Sequence, residues 1–272
     1  MSEVENQQVQ QLVEAVLASS KYKSIDIGFI EFVGAQELSK HRNLKEAIKA
    51  TKNKLHQVGG AYQISTPRYS LWLDELKFAR RSSDEKHFRE TCQWIMQHHA
   101  STRERLPFLE QFYDTIFAHL PSINSVIDIA SGLHPLAVPW MQLHEDVEYF
   151  AYDIYEDMIR FLNESLALMP VIGSAEVRDV IHSCPTQKVD VAFILKAIPC
   201  LEQVDRSAGL RILEAIHADH LVVSFPAHSL AGKYRGMIPN YESRFYQLVA
   251  HESWSIQRFE FPGELAFLVS KS

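Results

Sequence analysis

Cysteine is scarce in this 272-residue chain: Cys92, Cys184 and Cys200 form an odd and widely spaced set. They make neither a disulfide framework nor a CxxC metal knuckle, and read as buried or inert thiols. Every apolar stretch is interrupted well before the ~18 positions needed to cross a bilayer, which excludes a transmembrane helix. The opening MSEVENQQVQ lacks the basic and then apolar start of a signal peptide, so a cytoplasmic protein is expected. Linkers rich in Gly, Ser or Pro and internal repeats are missing as well. What remains is ordinary globular composition, 46% hydrophobic and 22% charged. The length suits one large domain or two ordinary ones of about 100 to 200 residues.

The net charge of −7 argues against a nucleic-acid partner until its distribution is examined. Residues 1–121 carry 16 Lys and Arg against 15 Asp and Glu, and the rest of the chain 11 against 19, so the acidity belongs to the C-terminal half. Between Lys40 and His56 stand Lys40, Arg42, Lys45, Lys49, Lys52 and Lys54 against Glu46 alone. This is the basic patch of the chain.

Apolar spacing before Pro121 is helical almost throughout. Leu12, Val13, Val16 and Leu17 make one stripe, and Leu44, Ile48 and Leu55, with Thr51 in the gap, make another. Lys45, Lys49, Lys52 and His56 follow the second stripe one position along and line a face beside it. Gly59-Gly60 is expected to end that helix, Ser82-Ser83-Asp84 to cap the next, and one long helix to run from about Ser101 to His119. After Pro121 the pattern becomes β-branched runs: SVIDIA from Ser125, EYFAYDI from Glu148, VRDV from Val177, VDVAFILKA from Val189 and HLVVSFP from His220. Helices are expected to start near Pro135, Glu156 and Gln203, an alternation that implies a parallel sheet covered on both faces. SIQRFEF and ELAFLVSK, joined by Pro262-Gly263, are too close for a crossover and must pair antiparallel. The expected architecture is α/β: an all-α domain over 1–121, then, over 122–272, a Rossmann-like, mostly parallel sheet with a terminal antiparallel hairpin. That is the class I methyltransferase topology, whose cofactor is S-adenosylmethionine.

Ligands of open α/β sheets sit at the carboxyl ends of the strands. The first run ends Asp128-Ile129-Ala130-Ser131-Gly132, whose small residues let a cofactor approach the backbone, although many folds need such a turn. The second ends at Asp153, placed to accept ribose hydroxyls, and the third at Asp179, placed to meet an adenine amino group. A single acidic strand end is usually just solvated; three in this order favour the cofactor reading.

Flanking blocks add a resemblance. His99 to Arg105, HASTRER, looks like the HASTKER block of the aminoglycoside-resistance 16S ribosomal RNA (guanine-N7) methyltransferases. DIASGLHPLA from Asp128 is similar to that family's DIACGLNPLA. KLHQVGGAY from Lys54, YDI at Asp153, RDV at Arg178, LKAIPCLE at Leu195 and SFPAHSLAGKYRGMIPNY at Ser224 extend the match over most of the chain. The resemblance implies an enzyme that methylates guanine N7 in the decoding A site of 16S rRNA within the 30S subunit, conferring aminoglycoside resistance.

By that resemblance, Arg105 pairs through a bidentate guanidinium with the cofactor carboxylate. Ala130 and Gly132 are implied at the methionine portion, Asp153 at the ribose, and Asp179 and Val180 at the adenine, with His99, Asp128 and Ile154 also implied to bind the cofactor. Lys196, Ser224, Phe225 and Pro226 are implied to position the target base. His228, Lys233, Arg235, Met237 and Asn240 are implied to grip RNA, with Lys45, Lys49 and Lys52 docking on the ribosomal RNA backbone. No metal, no membrane and a monomer are expected. Departures from the family stand at Ser131, His134, Ala227, His228 and Ile238. The alternatives are a methyltransferase acting on another RNA or a small molecule, and a ribosome-binding homologue with little chemistry.

Other features read as structure. His98 and His99 are adjacent on a helix and point about 100° apart, which disfavours joint metal ligation. His217 and His220 lack a third ligand. Ser224 stands in no GxSxG elbow. Phe112, Tyr113 and Phe117 read as core, and Phe225 is open to either a core or a base-facing role.

Overall fold

The helical spacing before Pro121 folds as α1 (Glu3–Leu17), α2 (Ile27–Lys40), α3 (Leu44–Leu55), α4 (Tyr69–Arg81), α5 (Glu85–Met96), α6 (Ala100–Arg105) and α7 (Leu109–Phe117). The computed structural model describes residues 3–227 and 237–271. Asp26, Asn43 and Asp84 cap α2, α3 and α5, accepting from the first-turn N–H groups of Phe29 (2.8 Å), Glu46 (2.9 Å) and Lys86 (3.0 Å). The helix expected from Ser101 to His119 is broken instead. Pro107 has no N–H to donate, and a 3-10 turn, Leu106–Phe108, separates α6 from α7. Gly59 and Gly60 close a π-helical turn, His56–Gly60, that continues α3 before the chain leaves it.

The strands are β1 (Ser125–Ile129), β2 (Glu148–Asp153), β3 (Ile172–Val177), β4 (Val189–Leu195), β5 (Ala218–Pro226), β6 (Ser255–Phe261) and β7 (Glu264–Ser270). They form one sheet in the order β3-β2-β1-β4-β5-β7-β6. β1 to β5 are parallel, and β7 is antiparallel to both β5 and β6. This is the expected class I topology. β3 lies five residues earlier than VRDV suggested, which leaves Asp179 two residues beyond its end. The strand pairs with β2 alone at the sheet edge, and Gly173 and Ser174 weaken its β-branched signal.

Among the later helices, α8 (Glu156–Leu166) starts where expected, whereas α9 (Ile198–Val204) starts ahead of Gln203 with Pro199 in its first turn. α10 (Ala208–Ala215) and α11 (Met237–Leu248) complete the set. The stretch at Pro135 is a 3-10 segment, His134–Trp140. The apolar core continues across Pro121: α4 packs on α8, and the His56–Gly60 turn packs on α9. Among the described residues no helix is long and apolar enough to cross a membrane.

Candidate active site

Strand order reverses between β1 and β4, and an open cleft of about 810 Å³ including its mouth lies beyond their carboxyl ends. Its floor is the sequence just past four strands: Ala130 to Gly132, Asp153 to Tyr155, Asp179 to Ile181, and Leu195 to Ala197. Its other wall comes from the N-terminal half, through Phe29 of α2, Val58 and Gly59 of the π turn, and Tyr62. Backbone pairing ties the two sides. Asp26 N–H donates to Ile154 O at 2.8 Å and Glu156 N–H to Ser24 O at 2.7 Å, around an antiparallel bridge between Ile25 and Tyr155. The Ser24 hydroxyl donates to Asp157 Oδ2 at 2.9 Å.

The backbone at the floor is strained. Ala130 (φ 50°), Gly132 (φ 53°) and Lys196 (φ 58°) occupy the left-handed region at the ends of β1 and β4. Gly132 is required twice over, since a Cβ there would also lie 2.7 Å from His99 Cε1. Its N–H donates to Asp153 Oδ2 at 2.9 Å, while Asp153 Oδ1 accepts from Ile154 N–H at 2.7 Å. With the Tyr155 N–H also helping to hold the carboxylate, acceptor capacity remains for a ribose hydroxyl. Burial raises the Asp153 carboxyl to about 6 against the opposing pull of the Gly132 N–H.

Several buried polar atoms at this cleft have no protein partner: His99 Nδ1, Ser131 Oγ and Tyr155 Oη. Buried polar groups are ordinarily paired, so these point to something the protein alone does not supply. Burial and then the charge of Lys196 hold the His99 imidazole down at about 4, so it is neutral at pH 7. Free donors and acceptors around a buried carboxylate, between apolar walls, fit a nucleoside bearing an amino-acid tail.

Behind the cleft lies a buried charge cluster. Arg105 is 0% exposed and spends its fork on Glu264, through Nε at 3.0 Å and Nη2 at 2.5 Å. The Lys196 ammonium donates to Glu104 at 2.8 Å and lies 3.4 Å from Glu264. Burial alone would raise the Glu264 carboxyl, but Arg105 and Lys196 outweigh it and hold it below the usual range. Arg105 is not on the cleft wall, and the bidentate grip implied for it is taken. Its Nη1 alone is unpartnered.

Asp128 is also off the cleft wall. It is 1% exposed, and its Oδ2 accepts from Tyr149 Oη at 2.8 Å and from His134 Nδ1 at 2.7 Å. His134 Nε2 in turn meets Tyr113 Oη at 2.6 Å. With His134 as its Nδ1–H tautomer, every donor in this chain has an acceptor. The network braces the β1 turn from beneath, tying α7 to the sheet.

The structure brings His99, Ala130, Gly132, Asp153, Ile154, Asp179, Val180 and Lys196 to one cleft. Ser224, Phe225 and Pro226 are not on its wall. The Ser224 hydroxyl accepts from Lys196 N–H at 3.1 Å, and the Phe225 ring packs against Tyr241, Phe245 and Phe267 as core. Lys45 and Lys49 are exposed on α3, while Lys52 is half-buried. Met237 is half-buried and Asn240 exposed at the start of α11; His228, Lys233 and Arg235 lie outside the described residues. Sequence reasoning passed over Phe29, Tyr155 and Cys200. Tyr155, two residues past Asp153, had a local signal; Phe29 had none, because only the tertiary fold carries α2 to the strand ends.

The ribosomal RNA methyltransferase (FmrO) family model matches residues 18–268. A curated 16S rRNA (guanine(1405)-N(7))-methyltransferase of Micromonospora echinospora is 34% identical over 265 residues, 97% of each chain. The crystal structure of the 16S rRNA methyltransferase RmtF in complex with S-adenosyl-L-homocysteine superposes with a TM-score of 0.82 at 25% identity, covering 100% of both chains. That of the 16S rRNA methylase RmtB gives 0.75 at 25% identity, over 97% of this chain and 98% of the other.

Proposed function

The chain belongs to the ribosomal RNA methyltransferase (FmrO) family, and on that footing we propose that it methylates N7 of a guanine in the decoding site of 16S rRNA within the 30S subunit, using S-adenosylmethionine and conferring aminoglycoside resistance. The observation that carries the reading is the cleft at the strand ends, where Asp153 and the unpartnered His99, Ser131 and Tyr155 atoms converge. The cofactor, when bound, supplies a methyl group on a sulfonium.

Guanine N7 forms the new N–C bond with its in-plane lone pair and loses no proton. The C–S electron pair returns to sulfur, and the positive charge passes to the base. A general base is therefore not needed, and His99, neutral and weakly basic, is suited to hold a donor rather than to take a proton. Asp153 and Asp179 orient the nucleoside, and His99 Nδ1 and Ser131 Oγ remain for the amino-acid tail. The chain's contribution is positioning, with donor and acceptor held in line, and a pocket for a base taken out of its stack at a cost of about a few kcal/mol.

In this reading 1–121 docks on rRNA and 122–272 carries the transfer, and the enzyme acts as a cytoplasmic monomer. Lys45 and Lys49, exposed on α3, support docking through phosphate contact. The test is transfer of labelled methyl from S-adenosylmethionine to purified unmethylated 30S subunits, with strand cleavage at 7-methylguanine. One cleavage in the decoding site is expected; no incorporation by cofactor-binding protein would sink the assignment of substrate.

A further inference from the structure

Asp179 presents one carboxylate to two clefts. It lines the large cleft, and with Phe32 and His182 it lines a shallower one between α2 and the loop that follows β3. Its Oδ1 accepts from Ile181 N–H at 2.9 Å, and its Oδ2 is paired with His182 Nδ1. His182 is pinned from its other side by Phe32 of α2, with ring centroids 3.8 Å apart and planes at 60°.

We propose that His182 is a positioning residue for the purine of the cofactor: its Nδ1–H fixes the Asp179 carboxylate so that an oxygen faces an exocyclic amino group in the large cleft. The inference rests on reading that cleft as the S-adenosylmethionine site. Asp179 lies beyond the last residue of an edge strand, so no ladder bond holds it. One N–H at Oδ1 leaves the carboxylate free to pivot about that contact. A second donor at Oδ2, itself clamped by an aromatic ring, removes the freedom and still leaves each oxygen an open lone pair. A fixed carboxylate accepts from an amino group and repels a carbonyl oxygen in the same place. His182 therefore sharpens the choice of a 6-amino over a 6-oxo purine without touching the ligand. Because helix α2 supplies Phe32, the N-terminal half takes part in that choice.

His182 is 41% exposed in its side chain, so replacing it leaves the core intact. His182→Phe keeps a ring against Phe32 and removes the donor. His182→Asn keeps a donor near the Nδ1 position and removes the ring. Binding of S-adenosylhomocysteine and of its inosine counterpart, which carries a carbonyl oxygen in place of the amino group, is measured by calorimetry on the full chain. His182→Phe is expected to weaken the adenosyl ligand about five- to tenfold, less than the tenfold or more that loss of a direct hydrogen bond to a charged group costs because Asp179 itself remains, and the inosyl ligand less than about twofold. His182→Asn, which keeps the donor and loses the Phe32 clamp, is expected to weaken the adenosyl ligand by less than His182→Phe does and the inosyl ligand by less than about twofold. Equal losses on the two ligands, no loss, or tighter adenosyl binding in His182→Phe overturns the proposal, the last because His182 would then be competing with the purine. If Asp179→Asn binds S-adenosylhomocysteine as the unaltered protein does, the placement of the adenine itself is wrong, and the His182 proposal falls with it.

Discussion

Gly132 and Asp153 set the terms of the site at the level of single side chains. Gly132→Ala forces a β-carbon into a left-handed conformation and against His99, at a cost of about 1–2 kcal/mol from the backbone alone. The expected result is a lowered Tm together with lost S-adenosylhomocysteine binding, read by thermal denaturation and calorimetry. Asp153 gives a pH signature. Its carboxyl is raised to about 6 by burial, so the folded state holds a proton more tightly than the unfolded one. Ionised Asp153 therefore costs stability above pH 6, and the cost disappears as pH falls towards 4. Chemical denaturation should show Asp153→Asn gaining on the unaltered protein by about 2 kcal/mol more at pH 8 than at pH 4, at 1.36 kcal/mol per pKa unit. Ligand binding runs the other way, because ribose hydroxyls need an acceptor. S-adenosylhomocysteine affinity should be flat above pH 7 and fall about tenfold per unit well below 6. Asp153, Asp179 and Gly132 were legible in the sequence because each stands at a strand end. Arg105 and Asp128 do not line the cleft: Glu264 in β7 claims the first and carries no local signal, and Tyr149 in β2 claims the second together with the nearby His134.

Helix α3 shows how one element can serve two surfaces. Ala47, Thr51 and Leu55 are buried, and Lys45 and Lys49 are exposed on the opposite side. Reversing both charges, with Lys45→Glu and Lys49→Glu, should weaken 30S binding and flatten its salt dependence while leaving S-adenosylhomocysteine affinity unchanged. An unchanged salt slope would place the RNA contact elsewhere. The helix was readable from its periodicity, as were α1, β1, β2 and the β6–β7 hairpin. β3 was not, since an edge strand containing Gly173 and Ser174 lacks both the run and the burial that mark its neighbours. The division of α6 from α7 was signalled by Pro107 but hidden by the apolar rhythm on either side of it.

Taken whole, the molecule keeps two cations and two carboxylates, Arg105, Lys196, Glu104 and Glu264, at the junction of α6, β4 and β7. Glu264→Ala leaves Arg105 and Lys196 without their shared counter-ion, a loss of about 3–5 kcal/mol by comparison with other broken buried pairs. Thermal denaturation should show a fall in Tm of about 10 °C, at 2–4 °C per kcal/mol for a chain of this size. A fall of a degree or less would mean that water reaches the cluster. The bridge of Ile25 to Tyr155 has a consequence in time as well as in space. Ser24 and Asp157, which hydrogen-bond beside it, are 133 positions apart. At synthesis rates of about 5–20 residues per second, the first of them emerges about 7 to 27 seconds before the second. Through that interval Phe29 and Tyr62 have nothing to close over, so the nascent chain completes its pocket only after β2 and α8 have been made.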